Sequence, residues 1–146
     1  MECERIVWLE RGLLNDHTDG HVDMIARFIG PNRVVCMTPT QDDPNKEILT
    51  QIEATLHAAN LEVHTLPSPG QVLDSEGNVL PATYCNFYIA EQAVISPTYG
   101  VASDEAALER LRELFPGREV FGLDGRDLLT GGGAFHCATQ PEPRLQ

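Results

Sequence analysis

The sequence predicts an α/β fold in which short strands and helices are mixed throughout one domain covering residues 1–146. Apolar, β-rich runs such as Arg33-Val34-Val35-Cys36-Met37 and Glu119-Val120-Phe121-Gly122-Leu123 recur along the chain. Between them lie stretches whose apolar residues fall at helical spacing and whose ends carry Gly, Pro or Asn. Two stretches share an outline of hairpin or strand, helix and strand, at 33–66 and 79–123, which suggests structural repetition without a residue-level repeat. With 146 residues the chain is long enough to bury a core.

The elements follow in order. Arg5-Ile6-Val7-Trp8-Leu9 reads as a short buried strand before a polar loop. Residues 21–29 are expected to be helical, with Val22, Ile25, Ala26 and Ile29 on one face and Gly30-Pro31-Asn32 as the stop. After the strand at 33–37, Pro44 opens a helix to about Asn60, with Ile48, Ile52, Leu56 and Ala59 as its apolar face. Glu62-Val63-His64-Thr65-Leu66 alternates as a strand, and Asp74-Ser75-Glu76-Gly77-Asn78 marks a turn between Val72-Leu73 and Val79-Leu80. Residues 83–89 and 93–96 are expected to pair as a hairpin around Glu91-Gln92. Asp104 is read as the cap of a helix bearing Ala107, Leu108, Leu111 and Leu114, which Pro116-Gly117 ends. A strand at 119–123 and a helical turn at 126–129 come next, and residues 141–146 are read as a frayed tail.

The chain carries 10 basic and 22 acidic residues, a formal net charge of -12. Such acidity repels phosphate backbones and argues against nucleic-acid binding. No apolar stretch approaches the roughly 20 residues of a membrane span, and no signal peptide opens the chain, so no membrane partner and a cytoplasmic location are expected. Cys3, Cys36, Cys85 and Cys137 are scattered and form no CxxC pair, which argues against a zinc site or a disulfide framework.

Two segments carry the chemistry. One is Asn15-Asp16-His17-Thr18-Asp19-Gly20-His21-Val22-Asp23, and the other is Gly131-Gly132-Gly133-Ala134-Phe135-His136-Cys137-Ala138-Thr139-Gln140. Together they hold the parts of a covalent thiol hydrolase. Consecutive glycines pack nothing, but they permit close backbone approach and can aim amides at developing charge. His136 neighbours Cys137, and adjacent side chains on an extended chain diverge, so a supporting role suits it better than that of partner base. The acidic run has two readings. Asp16, His17, Asp19, His21 and Asp23 are all competent metal ligands, though without a known spacing. Alternatively His21 shuttles a proton while Asp23 holds a cation. Asn86, in Tyr84-Cys85-Asn86-Phe87-Tyr88, needs a partner if buried.

Trp8-Leu9, Asp19-Gly20-His21-Val22-Asp23, Tyr84-Cys85-Asn86-Phe87-Tyr88, Phe115-Pro116-Gly117-Arg118 and the Gly131–Gln140 segment occur in an order that resembles the agmatine deiminases. These belong to the Porphyromonas-type peptidylarginine deiminase group of guanidine-modifying enzymes. The resemblance runs from about Arg5 to Pro141. It implies a partial α/β-propeller, with pentein-like ββαβ modules forming roughly the C-terminal half of a ring around a substrate tunnel. The implied reaction is hydrolysis of agmatine to N-carbamoylputrescine and ammonia, with no metal or organic cofactor. By the same resemblance Cys137 is the nucleophile and His21 the general acid/base. Asp23 pairs with the guanidinium and Asn86 is a polar contact lining the site. Asp19 supports the His21 loop, and Gly132 and Gly133 lie at the substrate.

The sequence departs from the family at Ala134-Phe135, which stands where an Asn-Ile type pair is usual, and at Pro141-Glu142-Pro143, which replaces a Gln-rich ending. Family chains are more than twice as long and carry a further acidic residue on the guanidinium. The resemblance therefore implies a C-terminal portion, of low activity alone, that self-associates or is complemented by an N-terminal half. The alternative is a non-catalytic binding or assembly module derived from the same fold.

Overall fold

The computed structural model of the chain describes residues 5–140 and Glu142; Cys3 and all but Glu142 of the tail expected at 141–146 lie outside the described residues. After an irregular stretch and a 3-10 turn at Val22–Met24, the chain forms β1 (Ala26–Gly30), β2 (Arg33–Thr38), α1 (Lys46–Ala58) and β3 (Glu62–Pro67). β4 (Val72–Leu73) and β5 (Val79–Leu80) make a small hairpin. A second series then follows, with β6 (Tyr88–Ile89), β7 (Ala93–Thr98), α2 (Asp104–Leu114), β8 (Glu119–Asp124) and the short α3 (Arg126–Leu129).

The suspected repetition is present as two topologically equivalent units. In each, an antiparallel pair (β1–β2, β6–β7) is followed by a helical crossover and a strand parallel to the central one (β3, β8). A parallel neighbour requires such a crossover, so each helix covers one face of its own three-stranded sheet. Ile48, Leu49, Ile52 and Leu56 of α1 pack with Val34, Cys36 and Met37 of β2. Ala107, Leu111 and Leu114 of α2 join Val94 of β7 and also reach Val35 and Leu66 of the first unit. The architecture is thus α/β. No described helix is long and apolar enough to cross a membrane.

Three expected elements take another form. Residues 5–9 are irregular, with Ile6 and Trp8 exposed. Residues 21–29 are not a helix. Gly30-Pro31-Asn32 does not stop a helix but turns a hairpin, in which Asn32 (φ 62°) follows Pro31 in the residue pattern of a type II turn. Of the apolar residues that fit helical spacing, Val22 lies in the 3-10 turn, Ile25 follows it, and Ala26 and Ile29 lie in β1. Residues 83–87 are not a strand either, although Thr83, Tyr84, Cys85, Asn86 and Phe87 are all buried.

Buried irregular backbone must find its partners elsewhere. The Tyr99 hydroxyl takes the Thr83 N–H (3.3 Å) and donates to the Thr83 carbonyl (2.7 Å). Arg27 donates to the carbonyls of Cys85 (3.3 Å) and Phe87 (2.8 Å), and His136 N–H donates to the Asn86 carbonyl (3.1 Å). Asp104 lies in the first turn of α2 rather than at its cap. Its carboxylate accepts the N–H groups of Tyr99, Gly100 and Val101 and the Tyr84 hydroxyl.

Candidate functional site

The turn before β1, the loop before β6 and the segment after α3 converge on one place. Asp23 comes from the first, Asn86 from the second, and His136 and Cys137 from the third. Asp23 Oδ2 accepts three hydrogen bonds: from His136 Nδ1 (2.5 Å), Asn86 Nδ2 (3.0 Å) and the Cys137 thiol (3.3 Å). Oδ1 has no hydrogen-bond partner among the described residues. Asp23, His136 and Arg27 border a cavity of about 830 Å³, whose walls include Val22, Phe28, Val34 and Leu56. One carboxylate oxygen is therefore committed to the protein while the other is unclaimed among the described residues.

Asn86 is fully buried, and both ends of its amide are engaged. Oδ1 accepts the N–H of Ala134 (2.8 Å) and of Cys137 (3.2 Å), while Nδ2 faces Asp23 Oδ2, Cys137 Sγ (3.1 Å) and Met24 Sδ (3.4 Å). An amide has two donors and one oxygen to offer, so nothing remains for a substrate. The expected polar contact lining the site is instead a joint between the nucleophile's loop and the carboxylate.

The glycines serve clearance. A Cβ on Gly133 would fall 2.7 Å from Cys137 Cβ and nearer still to Sγ. Gly132 has φ 92°, and a Cβ there would lie 2.7 Å from His17 Nε2. Its N–H is already donated to the Leu129 carbonyl (3.0 Å), so it does not serve as the substrate-side amide that was expected. Close approach of the 16–18 loop on one side and of Cys137 on the other explains why side chains are excluded.

His21 and Asp19 lie outside this contact group. His21 is exposed; its N–H meets Thr18 Oγ1 at 3.5 Å, and its side chain has no hydrogen bond among the described residues. Asp19 is exposed at φ 60° without a side-chain hydrogen bond, so it does not brace the His21 loop. Asp16 does: its Oδ1 accepts the N–H (2.9 Å) and the hydroxyl (2.6 Å) of Thr18. Among the described residues no group of three or more His, Cys, Asp or Glu side chains could hold a metal ion.

Arg27 was not anticipated. Besides its two carbonyl bonds, its guanidinium stands 5.0 Å from the centre of the Phe87 ring. An arginine inside the apolar run Ala26-Arg27-Phe28-Ile29 is the signal that could have identified it.

The electrostatics are lopsided. Partial burial works to raise the Asp23 pKa, but hydrogen bonds from His136 and Cys137 and attraction to His136 and Arg27 outweigh it and hold the carboxyl below its ordinary value. Cys137 is pushed above its ordinary value, first by burial and then by Asp23 as acceptor and negative charge; the Asn86 hydrogen bond opposes this. Cys36 is raised to about 12 by burial, and Cys85, fully buried, is raised as well. Both are inert core thiols.

The comparisons agree with one another. The family model for Porphyromonas-type peptidyl-arginine deiminase matches residues 1–143. A Legionella pneumophila protein provisionally named agmatine deiminase is 38% identical over 150 residues, covering 97% of this chain and 43% of that protein. A Listeria monocytogenes relative with the same provisional name is 36% identical over 168 residues, covering 99% of this chain and 46% of its own. The structure is similar to that of a Cys→Ser variant of C. jejuni agmatine deiminase with substrate bound, at TM-score 0.86 and 32% identity over 94% of this chain and 41% of that one. It is also similar to the agmatine deiminase of Enterococcus faecalis, at TM-score 0.84 and 32% identity over 94% and 44% of the two chains. The chain thus spans less than half the length of these relatives, and it belongs to the Porphyromonas-type peptidyl-arginine deiminase family.

Proposed function

We propose that this chain carries the nucleophile-bearing part of a guanidine hydrolase acting on agmatine. The observation that supports this most directly is the contact of the Cys137 thiol with a carboxylate that keeps one oxygen open. A guanidinium is planar, cationic and resonance-stabilised. A carboxylate can orient it, and a thiolate can attack its carbon. In the free chain Asp23 holds the thiol proton in place. A cation on Asp23 offsets that negative charge and lowers the thiol pKa, so binding itself arms the nucleophile.

In the reaction, the Cys137 thiol, its pKa lowered by the bound cation, loses its proton to solvent, and the thiolate Sγ bonds to the guanidinium carbon. One C–N bond then breaks as His21, protonated, gives its proton to the departing nitrogen, leaving ammonia and a covalent thiouronium. Water adds to that carbon while His21 takes back a proton. The C–S bond breaks, the thiolate is restored, and the carbamoyl product loses its last proton to ammonia. His21 acts on the substrate and on water, so this role does not require a bond to Cys137 in the free chain. The two ββαβ units are proposed to be consecutive modules of a partial propeller within a single domain. The product named by this reading belongs to putrescine-forming chemistry in the cytoplasm, and the step uses no metal or organic cofactor.

Incubation with agmatine, followed by assay of ammonia and N-carbamoylputrescine, tests the reading. With one carboxylate at the thiol among the described residues, slow turnover is expected from the 146-residue chain alone. An acid quench should trap a Cys137 adduct by mass spectrometry. Product release that persists in Cys137→Ala would sink the proposal. Exposed Ile6, Trp8, Val22 and Phe28 favour a second reading, an assembly module. A stable oligomer without any Cys137 adduct would select it.

A further inference from the structure

The side chain beside the nucleophile has no part in the reaction as written, yet it makes the shortest contact in the site. His136 Nδ1 lies 2.5 Å from Asp23 Oδ2, its backbone N–H is fixed to the Asn86 carbonyl, and its ring borders the same cavity as Asp23. Building on the guanidine reading above, we propose that His136 is a positioning residue that pins Asp23 Oδ2 and so presents Oδ1 to the cationic group of the substrate.

Three donors crowd one oxygen. Asn86 cannot move, because its amide also holds the Ala134 and Cys137 N–H groups. The thiol must surrender its hydrogen bond when it loses its proton. His136 and the fixed Asn86 amide are therefore the donors that remain on Oδ2, and His136, the closer of the two, fixes the carboxylate plane at the moment a guanidinium needs it. A bidentate guanidinium–carboxylate pair depends on that plane, so a freely rotating Asp23 would bind more weakly. His136 also draws Asp23 charge away from the sulfur. Among the described residues, the charged and titratable groups around the thiol are Asp23, His136 bonded to Asp23, and Arg27, which attracts both Asp23 and the Cys137 sulfur.

The experiment compares His136→Ala, His136→Asn and His136→Gln in the full 146-residue chain, following iodoacetamide alkylation of the Cys137 peptide by mass spectrometry. Asparagine places an amide nitrogen near the Nδ1 position; glutamine reaches toward Nε2. Without ligand, His136→Ala should alkylate about threefold more slowly at pH 8, because an unpinned Asp23 raises the thiol pKa further, while His136→Asn should match the wild type. With agmatine as protectant, the concentration giving half protection should rise about tenfold in His136→Ala and His136→Gln, and stay within about threefold of wild type in His136→Asn.

Equal behaviour of all three variants and the wild type in both measurements would overturn the proposal. So would rescue by Gln but not by Asn. If agmatine fails to protect even the wild type while the ligand-free difference persists, the positioning role stands and the guanidine reading falls. Should the Ala variant fail to fold, the Asn and Gln pair still decides.

Discussion

The two ββαβ units have the same topology, and each contributes to the site from the same place, the segment entering its first strand. They use it differently. Asp23, before β1, is only partly buried and reaches a cavity. Asn86, before β6, is fully buried and committed to five protein groups. The first position handles charge and the second handles geometry. A repeated fold thus supplies equivalent anchor points, and the residue placed there decides which becomes reactive and which becomes structural.

The strongest challenge to this contrast removes core from each unit in turn. Leu49→Ala and Leu111→Ala each truncate a fully buried side chain and should cost about 2–5 kcal/mol. Because α2 packs across β3 and the second core includes Val35 and Leu66, both should move one urea-unfolding transition. Two separate transitions would show that the units are independent. Next comes Asn86→Ala, which strands the N–H groups of Ala134 and Cys137. We expect a loss of about 2–4 kcal/mol in the same assay. A cost below about 1 kcal/mol would remove Asn86 from its role as a joint.

Arg27→Gln tests the link between the units more gently. It withdraws a donor from the Cys85 and Phe87 carbonyls and should cost about 1–3 kcal/mol. The smallest stability effect belongs to Asp23→Asn, which keeps size and polarity; its effect is on the thiol. Asp23 raises the Cys137 pKa by charge and by accepting its hydrogen bond, so neutralising it should move the pH midpoint of Cys137 alkylation down toward the ordinary thiol value. A midpoint that stays put or rises would contradict the charge argument.

Much of this was legible in the sequence, for identifiable reasons. α1, α2 and the strands β2, β3, β7 and β8 follow from apolar spacing and from punctuation by Gly, Pro and Asn, because a single buried face imprints a period. The helix expected at 21–29 failed because four apolar residues in nine satisfy helical spacing even when the chain divides them, Val22 in a 3-10 turn with Ile25 after it, and Ala26 and Ile29 in a strand paired with β2. The strand expected at 83–87 failed because its burial is sustained by Arg27, Tyr99 and His136, none of them near in sequence. Cys137, Asp23 and Asn86 were readable from the resemblance and do meet. The way they share hydrogen bonds was not readable, since donor capacity is allotted only in three dimensions. The clearance at Gly132 and Gly133 belongs to the same class.

The upward push on the Cys137 thiol has a further consequence, in durability. Peroxides attack the thiolate rather than the thiol, and an exposed cysteine that stays protonated climbs the oxidation ladder slowly. Asp23 therefore acts as a safety catch. On the proposed reaction, the sulfur is kept chemically quiet until a cation pairs with Asp23 and is reactive only then. The carboxylate adds to burial in lengthening the sulfur's lifetime in an oxidising stress, and Asp23→Asn should shorten that lifetime even where folding is unchanged.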